Sequence, residues 1–110
     1  MSSILNETKH MLGLLETDTA FDSDIISMIN GAFGTLTQLG VGPAIGYQIQ
    51  GPENEWTEFN SDPRLNSIKS FIFLTCKIQF DPPSTGFVLA SMERQIKELE
   101  FRLNVVADYG

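Results

Sequence analysis

Residues 86–106 read GFVLASMERQIKELEFRLNVV and predict one long amphipathic α-helix. Apolar side chains recur there at alternating intervals of three and four residues, which is the spacing of a helix–helix seam. The seam consists of Leu89, Met92, Ile96, Leu99, Leu103 and Val106. Opposite charges four residues apart, such as Glu98 and Arg102, stabilise the solvent side of this helix. The predicted helix therefore needs a second helix to pack against.

A proline corner and a second apolar segment precede this helix. Residues 81–84, DPPS, end the preceding element, because a residue before proline avoids helical angles. Ser84 or Thr85 can then cap the next helix. Residues 65–80 fit a broad helix face, although positions 72, 74, 76, 78 and 80 also alternate as in a strand. The length of this segment, without a helix breaker, favours a buried helix.

Two more helices are predicted in the amino-terminal part of the chain. Residues 3–12 form a short helix with Ser2 or Ser3 as its N-cap and Gly13 just past its end. Residues 23–39 form a longer one, capped by Asp22 and stopped by Gly40. Its apolar stripe keeps the helical spacing and consists of Ile25, Met28, Ile29, Ala32, Phe33, Leu36 and Leu39.

Residues 40–63 are rich in glycine and proline and predict a long loop. Within it, residues 47–50 are a candidate arm of a small β-hairpin, with the segment around Trp56 as the other arm. Tyr47, Trp56 and Phe59 are candidate anchors for a protein partner; alternatively, Trp56 and Phe59 fold back to cover the core, and the sequence leaves both open. The predicted fold is mainly α: a small bundle of about four helices in a single domain, residues 1–110, with residues 105–110 as a tail.

Composition narrows the classes of function. The 110 residues are 42% hydrophobic and carry a formal charge of −7, so the chain should fold unaided and should grip neither nucleic acid nor an anionic membrane. No apolar run is long enough to span a bilayer, and the first residues do not resemble a signal peptide, which predicts a protein made in the cytoplasm. The single cysteine, Cys76, lies in an apolar run and is expected in the core.

The sequence offers no convincing catalytic set. His10 is the only histidine and is expected on the surface of the first helix. Acidic residues 16–24 lack the spacing of a calcium loop, and the glycine run 40–46 follows a helix and lacks the lysine of a phosphate loop. The carboxylates around Trp56 resemble those of glycosidases only weakly. We therefore predict no catalytic, metal or cofactor site, so that a small hydrolase is the least favoured class.

The order of these segments resembles the small helical head-tail connector proteins, also called head-completion or adaptor proteins, of long-tailed bacteriophages and related prophages. The similarity is carried jointly by six stretches that span nearly the whole chain. These are ILNETK (4–9), MLG (11–13), TAFDSDII (19–26), QLGVGP (38–43), FDPPS (80–84) and IKELEFRLN (96–104).

The resemblance implies a structural subunit of the phage neck, in a ring commonly of twelve copies beneath the portal. Such a ring contacts the portal protein and the next neck or tail-completion protein, and double-stranded DNA passes through it without specific binding. The implied interface residues are Tyr47, Ile49, Trp56, Phe59, Asn104, Val105, Val106 and Tyr109. The competing hypothesis is a small cytosolic regulator that binds a single protein partner through its aromatic loop.

Overall fold

The computed structural model describes residues 3–43, 45–59 and 64–109, except for the side chains of 58, 59 and 105–109. Within these residues the chain forms four α-helices: α1 (Ile4–Met11), α2 (Asp22–Gln38), α3 (Leu65–Phe80) and α4 (Gly86–Tyr109). A short 3₁₀ helix, Trp56–Phe59, interrupts the long loop. The prediction of a small, mainly α bundle is confirmed, and the ambiguous segment 65–80 is a helix.

Helix α3 lies in the middle of the molecule. It packs against α2 on one side and α4 on the other, whereas α2 and α4 make at most marginal contact with each other. The short helix α1 covers α2 and α3. Because the molecule measures 40 × 36 × 20 Å, these helices form a flat body with α2 and α4 at opposite edges.

The core lies between α1, α2 and α3, and the apolar stripes predicted from helical spacing supply most of it. Helix α4 contributes the buried Leu103 and the half-buried Ile96 and Leu99, so its predicted seam does face the bundle. The buried hydrophobic side chains are Ile4, Leu5, Leu12, Ile25, Ile29, Ala32, Phe33, Leu36, Val41, Ile49, Trp56, Ile68, Phe71, Ile72, Cys76 and Leu103.

The helix ends follow local chemistry at three of the predicted positions. The Ser3 hydroxyl accepts a hydrogen bond from the Asn6 amide at 3.2 Å and caps α1. The Thr85 hydroxyl accepts one from the Val88 amide at 3.4 Å at the start of α4. Gly40, with φ +82°, follows α2 in the left-handed conformation that glycine adopts without strain.

Two predictions about local structure are wrong. Asp22 is not the N-cap of α2; it is the first helical residue, Phe21 takes the cap position, and no side chain caps this end. The described part of loop 40–63 contains no hairpin, and Glu55 instead forms an isolated antiparallel bridge with Ser3. Helix α4 extends through the predicted tail as far as Tyr109.

No described helix is long and apolar enough to cross a membrane.

Candidate interaction surfaces

The loop between α2 and α3 is tied to the helices by side chain to backbone hydrogen bonds. The Asn30 amide nitrogen donates to the Ile49 carbonyl at 3.1 Å, and its oxygen accepts from the Ile49 amide at 2.8 Å. The Ile4 amide donates to the Asn54 carbonyl at 3.0 Å. The two hydrogen bonds from Asn30 satisfy the Ile49 backbone without a second strand. The Ile49 side chain lies in the core.

Trp56 lies at the centre of an aromatic cluster beneath this loop. Its ring is 6.4 Å from the Phe33 ring and 6.3 Å, edge on, from the Phe73 ring. The Lys69 ammonium lies 5.2 Å from the Trp56 ring centroid and 3.2 Å from a Glu7 carboxylate oxygen. Trp56 is fully buried, so of the two interpretations left open by the sequence, the one in which Trp56 covers the core is correct. Ile49 is buried as well, and neither side chain is exposed to a partner in the subunit.

A buried lysine fixes the connection between α1 and α2. The Lys9 side chain is only 1% exposed, and its ammonium lies 2.8 Å from an Asp22 carboxylate oxygen. The same ammonium donates to the Glu16 carbonyl at 3.0 Å. This pair explains why Asp22 faces the bundle instead of capping α2. Sequence reasoning missed it, because a lysine in a short amphipathic helix is normally assigned to the solvent side.

The described residues bring together no reactive constellation. They contain no group of three or more His, Cys, Asp or Glu side chains that could hold a metal ion. His10 is exposed on α1, as predicted. Cys76 is buried, and desolvation raises the pKa of its thiol from 9.0 to about 12, which keeps it protonated and unreactive at neutral pH.

The first candidate surface is the outer face of α4, which we define by Phe87, Arg94, Glu98 and Phe101. Phe87 is 86% exposed and Phe101 71% exposed, and the two side chains project from the same side of the helix because fourteen residues are nearly four turns. This side lies opposite the seam that packs on α3. Sequence reasoning missed both residues, although their signal was available: they are large apolar side chains that do not belong to the seam.

The second candidate surface is the outer face of α2, which we define by Asp24, Ser27, Gly31, Gly34 and Gln38. All five residues are exposed and recur at intervals of three and four. Beside it, a hollow of about 460 Å³ opens between α2 and the loop, lined in part by Gly34, Ile45 and Tyr47. Tyr47, one of the predicted interface residues, is half-buried and packs edge on against Phe33 at 5.0 Å.

The third candidate surface is a groove of about 590 Å³ between α3 and α4. Its apolar lining includes Met11, Phe73 and Leu99, and its charged lining includes Lys77 and Arg102. Each cation already has a carboxylate partner one helical turn away: Lys77 pairs with Asp81 at 2.8 Å, and Arg102 pairs with Glu98 at 3.2 Å. The groove adjoins the outer face of α4, because Glu98 belongs to both.

The remaining predicted interface residues lie near the end of the chain and in the 3₁₀ helix. Asn104 is half-buried on α4. Val105, Val106 and Tyr109 belong to the last turns of α4 and Phe59 ends the 3₁₀ helix, but their side chains lie outside the described residues. Among the described side chains, Tyr47, Ile49 and Trp56 lie against α2, whereas Asn104 lies on α4.

Comparison with protein families gives one match. Residues 4–110 match the family model described as phage connector protein, so the similarity covers nearly the whole chain and all four helices. No curated protein and no solved structure matches this chain.

Proposed function

The chain belongs to the phage connector protein family, and from this premise we propose that it forms a ring beneath the portal that joins head to tail and extends the DNA channel. Membership makes it a structural protein of the bacteriophage virion that contacts other head and tail proteins. The ring, its copy number and its place under the portal are the proposed part. The match over residues 4–110 is the observation that carries the proposal.

The surfaces of the subunit support this role. A ring subunit needs two different faces for its two neighbours, because head-to-tail contacts close only when the surfaces are complementary and distinct. The outer faces of α2 and α4 lie at opposite edges of a flat molecule, as such contacts require. The family match does not support the alternative of a cytosolic regulator. That alternative relied on exposed aromatic residues in the loop, and Trp56 is buried in the core.

The proposed ring contacts the portal protein on one side and the next neck or tail-completion protein on the other. We assign part of these contacts to the last turns of α4, which include Val105, Val106 and Tyr109, and part to the loop surface around Tyr47. The formal charge of −7 suits a channel through which DNA slides, because an excess of carboxylates repels phosphates and prevents a tight grip on the duplex.

Native mass spectrometry of the purified chain over a range of concentrations tests the ring directly. A closed ring gives one discrete high mass, of about a dozen subunits, whereas open association gives a ladder of masses. The measurement is repeated with the portal protein of the same phage, because the portal can template the ring. A chain that stays monomeric or dimeric both alone and with the portal would contradict the proposal.

Deletion of residues 105–110 tests the proposed portal contact. Folding should be spared, because the deletion removes only Val106 from the seam and leaves the core residue Leu103 and the seam residues Ile96 and Leu99 in place. Binding to the portal should be lost. Replacement of the exposed residue Gln79 by Ala is the control, since Gln79 lies on α3, outside both segments assigned to these contacts. Portal binding that survives the deletion would remove this segment from the contact.

A further inference from the structure

We propose that residues 46–50 form an exposed strand edge, to which an extended segment of a neighbouring head or tail protein adds as a second strand. This inference deepens the proposed contacts of the loop surface around Tyr47 and rests on them. It names the mode of binding, which is main-chain hydrogen bonding along an extended chain, and the chemistry of the segment that binds.

The segment 46–50 is extended and is fixed to the bundle along one edge. It contains neither helix, turn nor bend, and its side chains alternate, since Ile49 is buried whereas Gln48 and Gln50 are exposed. This alternation is that of a strand with one face on the core. The Ile49 N–H and C=O both face α2, because they pair with the Asn30 side chain at 2.8 and 3.1 Å. One edge of the segment is therefore already occupied by α2.

The opposite edge of this segment is open at Gln48. Consecutive residues of an extended chain direct their N–H and C=O groups to opposite edges, so those of Gln48 face away from α2. Neither group has a hydrogen-bond partner within the part of the chain that the structure describes. The next amide on this side, that of Gln50, is held by the Asn54 side chain at 2.8 Å. Gln48 thus presents a free donor and a free acceptor, the groups that an added strand engages.

The sequence around this edge lacks the features that protect exposed edges from pairing. Residues 44–51, AIGYQIQG, include no charged side chain and no proline, and isoleucine and tyrosine favour strands. Proteins usually shield such an edge with lysine, proline or a bulge, because free N–H and C=O groups template pairing with another chain. Ile45, next to the segment, has 99% of its surface exposed. An unprotected edge beside an exposed aliphatic side chain is suited to an intermolecular strand.

Charge distinguishes between the possible partner strands. Residues 11–63 contain eight acidic residues and no Lys or Arg, so two copies that pair through 46–50 about a two-fold axis bring their carboxylates together and repel each other. A segment of another protein avoids this repulsion if it is uncharged along 46–50 and basic in its flanks, near the exposed Glu53. The source is another head or tail protein, since membership of the connector family implies contact with such proteins.

Hydrogen exchange of single backbone amides tests the proposal in the unaltered chain. The Gln48 amide should exchange rapidly in the free chain and at least about tenfold more slowly once the portal protein or the next neck protein of the same phage is bound. The Ile49 amide is the internal control, since Asn30 already bonds it and its exchange should be slow in both states. Exchange at Gln48 that slows in neither complex, although both form, would overturn the strand proposal and leave the proposed function standing. Slowing in rings of the chain alone would assign the edge to a second copy and also overturn it.

Two substitutions at Gln48 separate main-chain from side-chain recognition. Gln48→Pro removes the N–H, so binding of the portal or neck protein should weaken by at least about tenfold. Gln48→Thr keeps the N–H and favours a strand, so binding should stay within about twofold of the wild type. Equal losses for the two substitutions would assign recognition to the side chain and overturn the proposal.

Circular dichroism with thermal melting checks that both variants fold, and the exchange measurement decides the matter if the proline variant does not. A wild-type chain that binds neither the portal nor the neck protein would remove the proposed function and this inference together.

Discussion

Lys9 connects the first two helices through a charge that is almost completely removed from water. Its ammonium holds the Asp22 carboxylate at 2.8 Å and the Glu16 carbonyl at 3.0 Å, so one side chain of α1 fixes the middle of the connecting segment and the first residue of α2. Such a pair is costly to break, because loss of one partner leaves the other poorly solvated.

The substitution Lys9→Met keeps much of the side-chain volume and removes the charge. We expect the free energy of unfolding to fall by about 2–3 kcal/mol, less than for a fully buried pair because Asp22 keeps 25% of its surface exposed. Urea denaturation followed by circular dichroism measures the change. Lys97→Met is the control, since Lys97 is exposed on α4, and it should shift stability by no more than about 0.5 kcal/mol. Equal effects of the two substitutions would mean that the Lys9 pair is not structural.

Cys76 gives a second residue-scale prediction, because its thiol is shielded in the folded chain. Burial raises the pKa of this thiol from 9.0 to about 12, so the thiolate that reacts with alkylating reagents forms only after unfolding. At pH 8 we expect iodoacetamide to label Cys76 slowly in the folded protein and rapidly in urea, with mass spectrometry as the readout.

The same shift in pKa sets the sign of a pH effect on stability. The unfolded chain releases the Cys76 proton near pH 9, whereas the folded chain retains it until about pH 12. Cys76 therefore makes no pH-dependent contribution below pH 9, and stability declines as the pH rises from 9 towards 12. The variant Cys76→Ala has a lower free energy of unfolding because a smaller side chain fills the core. Its free energy of unfolding should nevertheless not show the loss that Cys76 causes between pH 9 and pH 12. Fast labelling of the folded wild type at pH 8 would contradict the burial of the thiol.

At the scale of elements, α2 contains two glycines that its own packing does not need. We expect Gly31→Ala and Gly34→Ala each to raise the free energy of unfolding by about 0.5–1 kcal/mol, since alanine restricts the unfolded chain and the added methyl group meets open space. Thermal melting of the isolated subunit measures the gain. Gly40→Ala is the control with the opposite expectation, because Gly40 has φ +82° and alanine is strained there.

Helical periodicity explains why the elements could be predicted and why some of their details could not. The stripes of α2 and α4 and the unbroken length of α3 fix the helices from local sequence alone. The N-cap of α2 could not be predicted, because Asp22 is held by Lys9 from another helix, and this tertiary contact outweighs the local capping preference. The hairpin prediction failed for the same reason, since the Asn30 side chain satisfies the Ile49 backbone in place of a second strand.

The candidate surfaces were harder to predict than the helices. Trp56 and Ile49 lie in a loop rich in glycine and proline, where no periodicity separates buried from exposed positions, and the structure places both in the core. Phe87 and Phe101 lie on a helix whose seam was clear, yet their exposure depends on which of its sides other helices cover. Burial at such positions is a property of the assembled bundle and is not encoded in any one segment.

At the scale of the whole molecule, acidic residues are concentrated in one part of the chain. The segment without Lys or Arg includes α2, and the segment with most of the cations includes α3 and α4. On α4 itself the basic Arg94, Lys97 and Arg102 are balanced by Glu93, Glu98 and Glu100, so the net negative charge of the chain comes mainly from residues 11–63. Two copies repel each other most strongly where they bring these acidic segments together, and a head-to-tail contact can avoid that repulsion whereas a two-fold contact through this segment cannot.

If the ring contact pairs this acidic segment with cations of the neighbouring copy, salt should weaken the assembly. Raising NaCl from about 0.05 M to about 0.5 M shortens the Debye length to a few ångströms and screens exposed charges, so the concentration needed for half-maximal ring formation should rise by about tenfold or more. Mass photometry over a dilution series at each salt concentration gives this value. The subunit itself should keep its melting temperature within a few degrees, because its core is apolar and its exposed ion pairs contribute little. Rings that strengthen with salt would instead show that repulsion between the acidic subunits outweighs any such pairing.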